Sequence, residues 1–401
     1  MSKVCVIGLG YVGLPLARLC SEKGHEVSGF DIDPDKIEKL KSELKVSSDP
    51  SIIKDSEIIL VCVPTPVHED KTPNLDPLKS AVKFVSENLS KDSIVIIEST
   101  IFPGTTEEVV KPILEESGLK AGSDFYLIHC PERIDPGNKE WTLSNIPRVV
   151  GALTPVGARK AREFYSSIID APVSVLSSLK SAEAVKVVEN TFRDINIAYV
   201  NELAMSFDKA GIDLLEVIKG ASTKPFGFMP HYPGCGVGGH CIPVDPYYLI
   251  DKAEQNGFKH TFLKMARDIN RNMPSYTVSL LENIVEDISN AKVGVLGISY
   301  KGNVNDVRGS PGLKMKKVLE EKKASVEIFD PFVPEQSTVS KLDELLEKSD
   351  YIILATAHDE FLKINGEQLK KNGVKAIVDG RNCLDPKSIV GADVKYKGIG
   401  L

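Results

Sequence analysis

Apolar residues along this chain fall into short, nearly continuous runs separated by amphipathic stretches. KVCVIGLG, EVSGFDID, EIILVCVP, SIVIIEST and FYLIHC read as strands, and GLPLARLCSEKG reads as a helix with a glycine stop. Runs this uniformly apolar suit strands buried on both faces, so the alternation predicts a parallel sheet with helices on either side. From about Ser181 the period changes. AEAVKVVENTFRDINIAYVNELAMSFDKAG places apolar residues three or four apart, meets no proline and ends at a glycine, which predicts one long helix. From residue 291 the alternation returns: KVGVLGISYKG parallels KVCVIGLGYVG, VEIFDPFVP parallels VSGFDIDPD, SDYIILATAHDEF parallels SEIILVCVPTPVH, and KAIVDGRN parallels SIVIIEST. The same strand order occurs twice. The expectation is an α/β protein with two domains of related design, residues 1–178 and 291–401, joined by a helical region, residues 179–290, whose long helix is the connector.

Composition narrows the classes. The chain has 401 residues, 42% hydrophobic and 26% charged, as expected of two or three globular domains. A net charge of -7 argues against nucleic-acid binding. The longest apolar runs, such as Ile58–Val63 and Ile94–Ile97, are too short to span a membrane. The N-terminus opens directly into a strand pattern without a signal-peptide layout, so a cytoplasmic location is expected. The seven cysteines, at positions 5, 20, 62, 130, 235, 241 and 383, form no CxxC pair, and reduced thiols are expected. Most sit in apolar segments, where cysteine acts as a small hydrophobe. Cys241 does not.

VIGLGYVGLPLA sets Gly8, Gly10 and Gly13 in a GxGxxG pattern directly after a strand and at the start of a helix. Asp31 ends the next strand, eighteen residues past Gly13. With that context the pattern is the dinucleotide fingerprint of a Rossmann fold: the glycines permit close backbone approach to a pyrophosphate, and the helix N-terminus favours its charge. Asp31 would accept hydrogen bonds from both ribose hydroxyls and repel a 2′-phosphate, which favours NAD over NADP. The second copy lacks the fingerprint. In VLGISYKGNVNDVRGSPG, Lys301 and Arg308 stand where the first copy has glycines and a helix start, and two cations in such a loop suit a phosphate or diphosphate.

The segment YPGCGVGGHCIPVDP, residues 232–246, cannot be an ordinary helix or strand. Cys235, His240, Cys241 and Asp245 could be read as metal ligands, but their spacing matches no common zinc pattern. A loop with inert thiols is a second reading. A third is a nucleophile: the glycine-rich lead-in exposes Cys241 just before a helix, PYYLIDKAEQNG, that Asp245 precedes. Beside a nicotinamide, such a thiol can capture an aldehyde as a thiohemiacetal, which a second oxidation turns into a thioester that water opens to a carboxylate.

GCGVGGHCIPVDP, AEAVKVVENTFRDINIAYVNELA, CVPTP, ESTIFPGTTE, HCPERIDPGN and SYKGNVNDVRGSP together resemble, in order and over almost the whole chain, the motifs of the nucleotide-sugar 6-dehydrogenases, the UDP-glucose/UDP-mannuronate dehydrogenase family. The resemblance implies NAD-dependent, two-step, four-electron oxidation of a sugar C6 alcohol to a carboxylate. It implies an N-terminal NAD domain, a central helical region that forms a homodimer, and a C-terminal UDP-sugar-binding domain that is also Rossmann-like. Carried over by motif, Cys241 is the nucleophile. Lys186 and Asn190, four apart on one helix face, stabilise the oxyanion at C6. Asp245 pairs with Lys186 or a water and helps remove the hydroxyl proton. Glu132 is the general base for thioester hydrolysis and Thr100 positions the water. Arg133, Phe226, Tyr232, Gly234, Gly238 and Lys301 are expected at the UDP-sugar, and Tyr11, Val12, Pro64, Thr65, Thr100 and Arg308 at NAD. No metal is implied.

Three departures from the family's pattern occur, of which the third bears on a polar contact near Arg308 and not on the chemistry. Pro136 stands where UDP-glucose dehydrogenases carry a second glutamate, Val244 replaces the lysine after the catalytic cysteine, and Gly309 replaces the glutamate of RESP. The first two are similar to the branch that oxidises UDP-N-acetylhexosamines. The expectation is therefore a UDP-N-acetylglucosamine or UDP-N-acetylmannosamine 6-dehydrogenase. The alternatives are a UDP-glucose 6-dehydrogenase, a two-electron hydroxyacid dehydrogenase of similar build, and a non-catalytic NAD or nucleotide-sugar sensor.

Overall fold

The computed structural model describes residues 1–134, 138, 140–285 and 287–401. Pro136, one of the departures noted above, lies outside the described residues. The chain divides into two compact units, Met1–Asn190 with Val244–Lys259, and Thr191–Pro243 with His260–Leu401. The helical middle is thus shared between the units, and the long helix, Leu179–Ala210, begins in one and ends in the other. Among the described residues no helix is long and apolar enough to cross a membrane.

The first unit is built on eight strands: β1 (Lys3–Ile7), β2 (Glu26–Phe30), β3 (Lys45–Ser47), β4 (Ile58–Val61), β5 (Ile94–Ile97), β6 (Tyr126–His129), β7 (Arg148–Ala152) and β8 (Val173–Val175). Their order is β3-β2-β1-β4-β5-β6-β7-β8. Alternate residues of β1, β4 and β5 feed two cores. Val4, Val6, Leu60 and Ile96 pack with Leu16 and Cys20. Cys5, Ile7, Ile59 and Ile97 pack with Leu78, Val82 and Val85 on the opposite face. Burial on both sides is why these strands read as unbroken apolar runs. The expected parallel sheet holds except at β6·β7, which is antiparallel. That reversal and the short strands β3 and β8 left little periodic signal, and β7, as long as β1, opens on a charged residue, Arg148.

Register positions the chemistry. Ile7 lies beside Phe30 and Val61, so the residues after β1, β2 and β4 emerge together. The order reverses at β1, and in open sheets of this kind the crevice beyond such a reversal is the ligand site.

The second unit holds β9 (Lys292–Leu296), β10 (Ser325–Phe329), β11 (Tyr351–Leu354), β12 (Ala376–Asp379) and β13 (Lys395–Gly398), all parallel, in the order β10-β9-β11-β12-β13. This repeats the β2-β1-β4-β5-β6 order of the first sheet, so the internal repeat is real. One expectation is corrected. The second copy keeps two of the three glycine functions: Gly297 has φ +88°, as Gly8 does. Gly312 lies against the Gly297 carbonyl as Gly13 lies against that of Gly8. The intervening loop is merely longer, which hid the match. Asp330 follows β10 as Asp31 follows β2, but it is closed off: its carboxylate accepts from the Ile298 and Ser299 N–H groups at 2.7 and 2.8 Å and from Ser299 Oγ at 2.6 Å, and meets His358 Nε2 at 3.1 Å.

The long helix buries Leu179, Ala182, Glu183, Val187, Asn190, Thr191, Asp194, Ala198, Val200, Asn201 and Ala204. The spacing is the expected one, but five of these eleven residues are polar. Glu183, Asn190, Asp194 and Asn201 have hydrogen-bonding partners, as buried polar side chains generally require, and those partners define the sites below.

Candidate active site

The glycine loop of the first unit has the geometry of a dinucleotide cradle. A Cβ at Gly13 would sit 2.0 Å from the Gly8 carbonyl oxygen, so only glycine lets the helix Gly13–Glu22 begin this close to β1. Nothing lies within 4 Å of a Cβ at Gly10, which leaves that face open to a ligand. Asp31 accepts the Leu9 N–H at 2.8 Å and a hydrogen bond from Lys36 Nζ at 2.7 Å. Lys36 is a partner of this carboxylate that sequence reading missed. Tyr11 and Pro64 are exposed and Val12 is half-buried. Thr65 differs. It is buried, its hydroxyl donates to the Thr100 carbonyl at 2.6 Å, and its own carbonyl accepts from Tyr248 Oη at 2.6 Å. In this structure it fastens the Thr100 loop and the helix Asp245–Gln255 to the sheet.

Asp245 is the first residue of that helix and is buried. Asn190 Nδ2 donates to its Oδ2 at 2.5 Å. Sequence reasoning gave Asp245 either Lys186 or a water as partner; the hydrogen-bond partner is Asn190, and Lys186 acts on the carboxylate as a nearby charge. Burial pushes the Asp245 carboxyl up to about 7, against the opposing effects of Asn190 and Lys186. A carboxyl that titrates near neutrality can exchange a proton with a substrate hydroxyl. One helical turn before Lys186, buried Glu183 accepts the Gly104 N–H at 2.5 Å and the Thr106 N–H at 2.7 Å. It ties the segment that follows half-buried Thr100 to the helix carrying Lys186 and Asn190.

Glu132 sits in a network that the sequence did not reveal. Its Oε1 accepts the N–H groups of Arg133 and Ile134, both at 2.6 Å, and its Oε2 lies 2.7 Å from Nη2 of Arg148. Arg148 is almost wholly buried and reaches Glu98 Oε2 at 3.2 Å through Nη1; Tyr165 Oη donates to the other Glu98 oxygen. The Arg148–Glu132 contact is an ion pair without hydrogen-bond alignment, so it acts through charge. Two carboxylates share one cation, and burial pushes Glu98 up to about 7. Arg133, expected at a phosphate, pairs with Glu189 at 2.5 Å and donates to the Pro147 carbonyl at 2.9 Å.

In the second unit the cysteine segment is held at both ends. The Gly234 N–H donates to Asn201 Oδ1 at 2.9 Å, and Asn201 donates to Asn270 at 2.9 Å. Asn270 in turn donates to Asp194, which also pairs with buried Arg267. A Cβ at Gly236 would lie 3.3 Å from the Asn270 carbonyl, the oxygen that Pro274, inside the helix Thr261–Ile284, leaves without its helical N–H. At the other end the Gly239 N–H donates to the Arg308 carbonyl at 2.8 Å. Cys235 is buried and its thiol points to the Ala355 carbonyl at 3.3 Å, whereas Cys241 is exposed. That contrast favours Cys241 over Cys235 as a reactive thiol. Burial and Arg308 hold the neighbouring His240 below its ordinary range. Arg308 itself is bound to Asp306, at 3.0 Å through Nε and 2.6 Å through Nη2. Lys301 is half-buried, and Phe226 and Tyr232 are exposed. Arg381 was missed: its Nε donates to the Ala355 carbonyl at 2.8 Å, and its Nη1 lies 3.1 Å from where a Gly234 Cβ would be. A cation just after a strand of the second sheet was the available signal, by the logic already applied to Lys301.

Comparison with known proteins identifies the family. Residues 2–47 and 41–169 match the NAD binding domain of the UDP-glucose/GDP-mannose dehydrogenase family, residues 180–272 its central domain and residues 294–386 its UDP binding domain. A UDP-N-acetyl-D-mannosamine dehydrogenase from Pyrococcus horikoshii is 36% identical over 99% of both chains, and its solved structure superposes with a TM-score of 0.93. A UDP-N-acetyl-D-glucosamine 6-dehydrogenase from Pseudomonas aeruginosa is 40% identical over 92% of this chain and 94% of that one. The structure of a UDP-N-acetyl-mannosamine dehydrogenase from S. aureus, 32% identical, covers 100% of this chain and 99% of its own with a TM-score of 0.88.

Proposed function

The chain belongs to the UDP-glucose/GDP-mannose dehydrogenase family, and from that premise we propose that it oxidises the C6 hydroxyl of a UDP-N-acetylhexosamine to the uronate in two NAD-dependent steps. Gly8, Gly10, Tyr11, Val12, Gly13, Asp31 and Pro64 would hold NAD, and Asp31 would set its charge against a 2′-phosphate. NAD supplies the hydride acceptor for both oxidations. Asp245 takes the proton of the C6 hydroxyl as the alcohol becomes an aldehyde. Lys186 and Asn190 stabilise negative charge on the C6 oxygen. The Cys241 thiolate adds to the aldehyde carbon: the S–C bond forms as the carbonyl electron pair moves to oxygen. Loss of the second hydride equivalent leaves a thioester on Cys241. Glu132, oriented by the Arg133 and Ile134 N–H groups and facing the charge of Arg148, accepts a proton from a water placed by Thr100. The water oxygen bonds to carbon, the S–C bond breaks, and the thiolate and the carboxylate product separate.

The observation that carries this reading is the buried Asp245–Asn190 pair with Lys186 acting on it, four residues along the chain from the exposed Cys241. Glu98 is raised as far, so the shift alone does not decide; what sets Asp245 apart is its place beside Asn190 and Lys186, close in sequence to an exposed thiol. The test is NADH formed per sugar consumed, with UDP-N-acetylglucosamine, UDP-N-acetylmannosamine and UDP-glucose supplied separately in limiting amount. Two NADH per acetamido sugar supports the proposal and identifies the C2 configuration. One NADH sinks the thioester route, and none with any sugar sinks the enzyme reading.

The oligomer belongs to the same proposal. Val188, Phe192 and Tyr199 form an exposed apolar stripe on the long helix, at spacings that keep them on one face. A second copy of the chain covers it in a homodimer; sedimentation at micromolar protein returning the monomer mass would contradict this. The same proposal includes a cytoplasmic location for the reaction.

A further inference from the structure

Gly309 stands where the family resemblance leads one to expect a glutamate, and its surroundings show what the substitution does. Its φ is +64°, in the left-handed region. A Cβ there would lie 3.1 Å from the Gly239 carbonyl oxygen and 3.5 Å from the Gly239 nitrogen. Gly239, with φ +85°, donates its N–H to the carbonyl of Arg308, the residue before Gly309, at 2.8 Å. A Cβ on Gly239 would meet the Tyr300 ring at 3.0 Å. One on Gly238 would meet Tyr300 Cβ at 2.7 Å, Pro311 Cδ at 3.0 Å and the Gly309 carbonyl oxygen at 3.2 Å. Two strips of main chain, Gly238–Gly239 and Arg308–Gly309, are therefore pressed together with no side chain between them, and Tyr300 and Pro311 close the sides.

Cys241 is the second residue beyond Gly239, so this contact sets the direction in which the chain leaves toward the thiol. We propose that Gly309 is a positioning residue of the reaction: by having no side chain it seats the Gly238–Gly239 backbone and fixes the presentation of Cys241. The change from glutamate is on this view a steric fit and not a lost polar contact. A side chain at 309 must adopt a left-handed backbone, which costs L-residues other than asparagine and aspartate. It must also push the Gly239 carbonyl away. Displacements of this size at a nucleophile lower rates steeply, because attack requires a narrow range of distance and angle.

The inference rests on Cys241 being the nucleophile, and its test separates the two claims. The full-length chain and its Gly309→Ala, Gly309→Glu and Gly309→Asn variants are treated with iodoacetamide without NAD or sugar, and alkylation of the Cys241 peptide is followed by mass spectrometry. Thermal melting, NAD affinity, kcat and KM are measured in parallel. For Gly309→Ala and Gly309→Glu we expect the Cys241 alkylation rate to change and kcat to fall, each by about tenfold, with KM and NAD affinity within about twofold of the parent. Gly309→Asn, which accepts the left-handed backbone, falls between them and the parent, and it carries the test should the other two fail to fold. Parental alkylation rate and kcat in folded Gly309→Ala or Gly309→Glu protein overturn the proposal, as does a drop in melting temperature alone. Alkylation needs no substrate, so it decides the placement of Cys241 even if no sugar is turned over.

Discussion

Replacing Asp245 by asparagine tests the electrostatics at the centre of the site. Asparagine has the same shape and can still accept the Asn190 hydrogen bond, so the perturbation is the loss of one titratable group. In the folded protein burial raises the Asp245 carboxyl from 3.8 to about 7. Below about pH 4 both the folded and unfolded chains hold this proton. Between about 4 and 7 the unfolded chain has released it and the folded chain has not, so stability falls as pH rises through that window. Above the folded value both are ionised and the loss levels off. From pH 5 to pH 8 this amounts to roughly 2–3 kcal/mol of wild-type stability from this one group, as an upper figure. Asp245→Asn lacks that loss. The stability difference between variant and wild type should therefore move in favour of the variant by that amount between the two pH values. Differential scanning calorimetry at pH 5 and pH 8 measures it, and Glu98, present in both proteins, cancels. The same variant should lose the limb of wild-type kcat/KM that rises with pH near 7. A stability difference that is flat with pH would refute the reasoning, because Asp245 would then titrate as an ordinary carboxylate.

Four further outcomes are expected. Cys241→Ser should lower uronate formation by roughly a thousandfold or more while NAD binding, followed by fluorescence titration, is retained. Arg148→Met leaves Glu98 and Glu132 buried without their shared cation and should cost about 3–5 kcal/mol of stability; adding Glu98→Gln should recover part of that loss in chemical unfolding. Asp31→Asn should weaken NAD binding about tenfold, since a charged hydrogen bond contributes about 1.5–3 kcal/mol, and should raise the NADP-to-NAD activity ratio. Phe192→Glu puts a charge into the apolar stripe of the long helix and should shift the sedimenting species from dimer to monomer.

Local rules made much of this protein readable. The strands of both sheets that are buried on two faces declared themselves by continuous apolar runs, and the long helix by its period. The glycine fingerprint was legible because its residues are close in sequence and each meets a local backbone requirement: Gly8 has φ +88° and Gly13 touches the Gly8 carbonyl. Where the same geometry recurs with a longer loop, at Gly297 and Gly312, the pattern disappeared from the sequence although the backbone need did not. Strands β3 and β8, three residues each, give too few alternations to read, while β7 opens on Arg148 and β13 carries Lys395 and Lys397, so neither shows a continuous apolar run.

The sequence by itself determined which chemistry is present: a cradle for a dinucleotide, an exposed thiol after a glycine-rich lead-in, and polar residues at helical spacing in a stripe that should have been apolar. Only the tertiary structure decided which groups answer one another. Asn190 rather than Lys186 holds Asp245, Arg148 holds both Glu132 and Glu98, and Gly309 seats the backbone leading to Cys241. These partners lie far apart along the chain, and no periodicity links them. Desolvation reverses the ordinary preference of a carboxyl for its charged form, and how deeply a group is buried is known only once distant elements have packed around it.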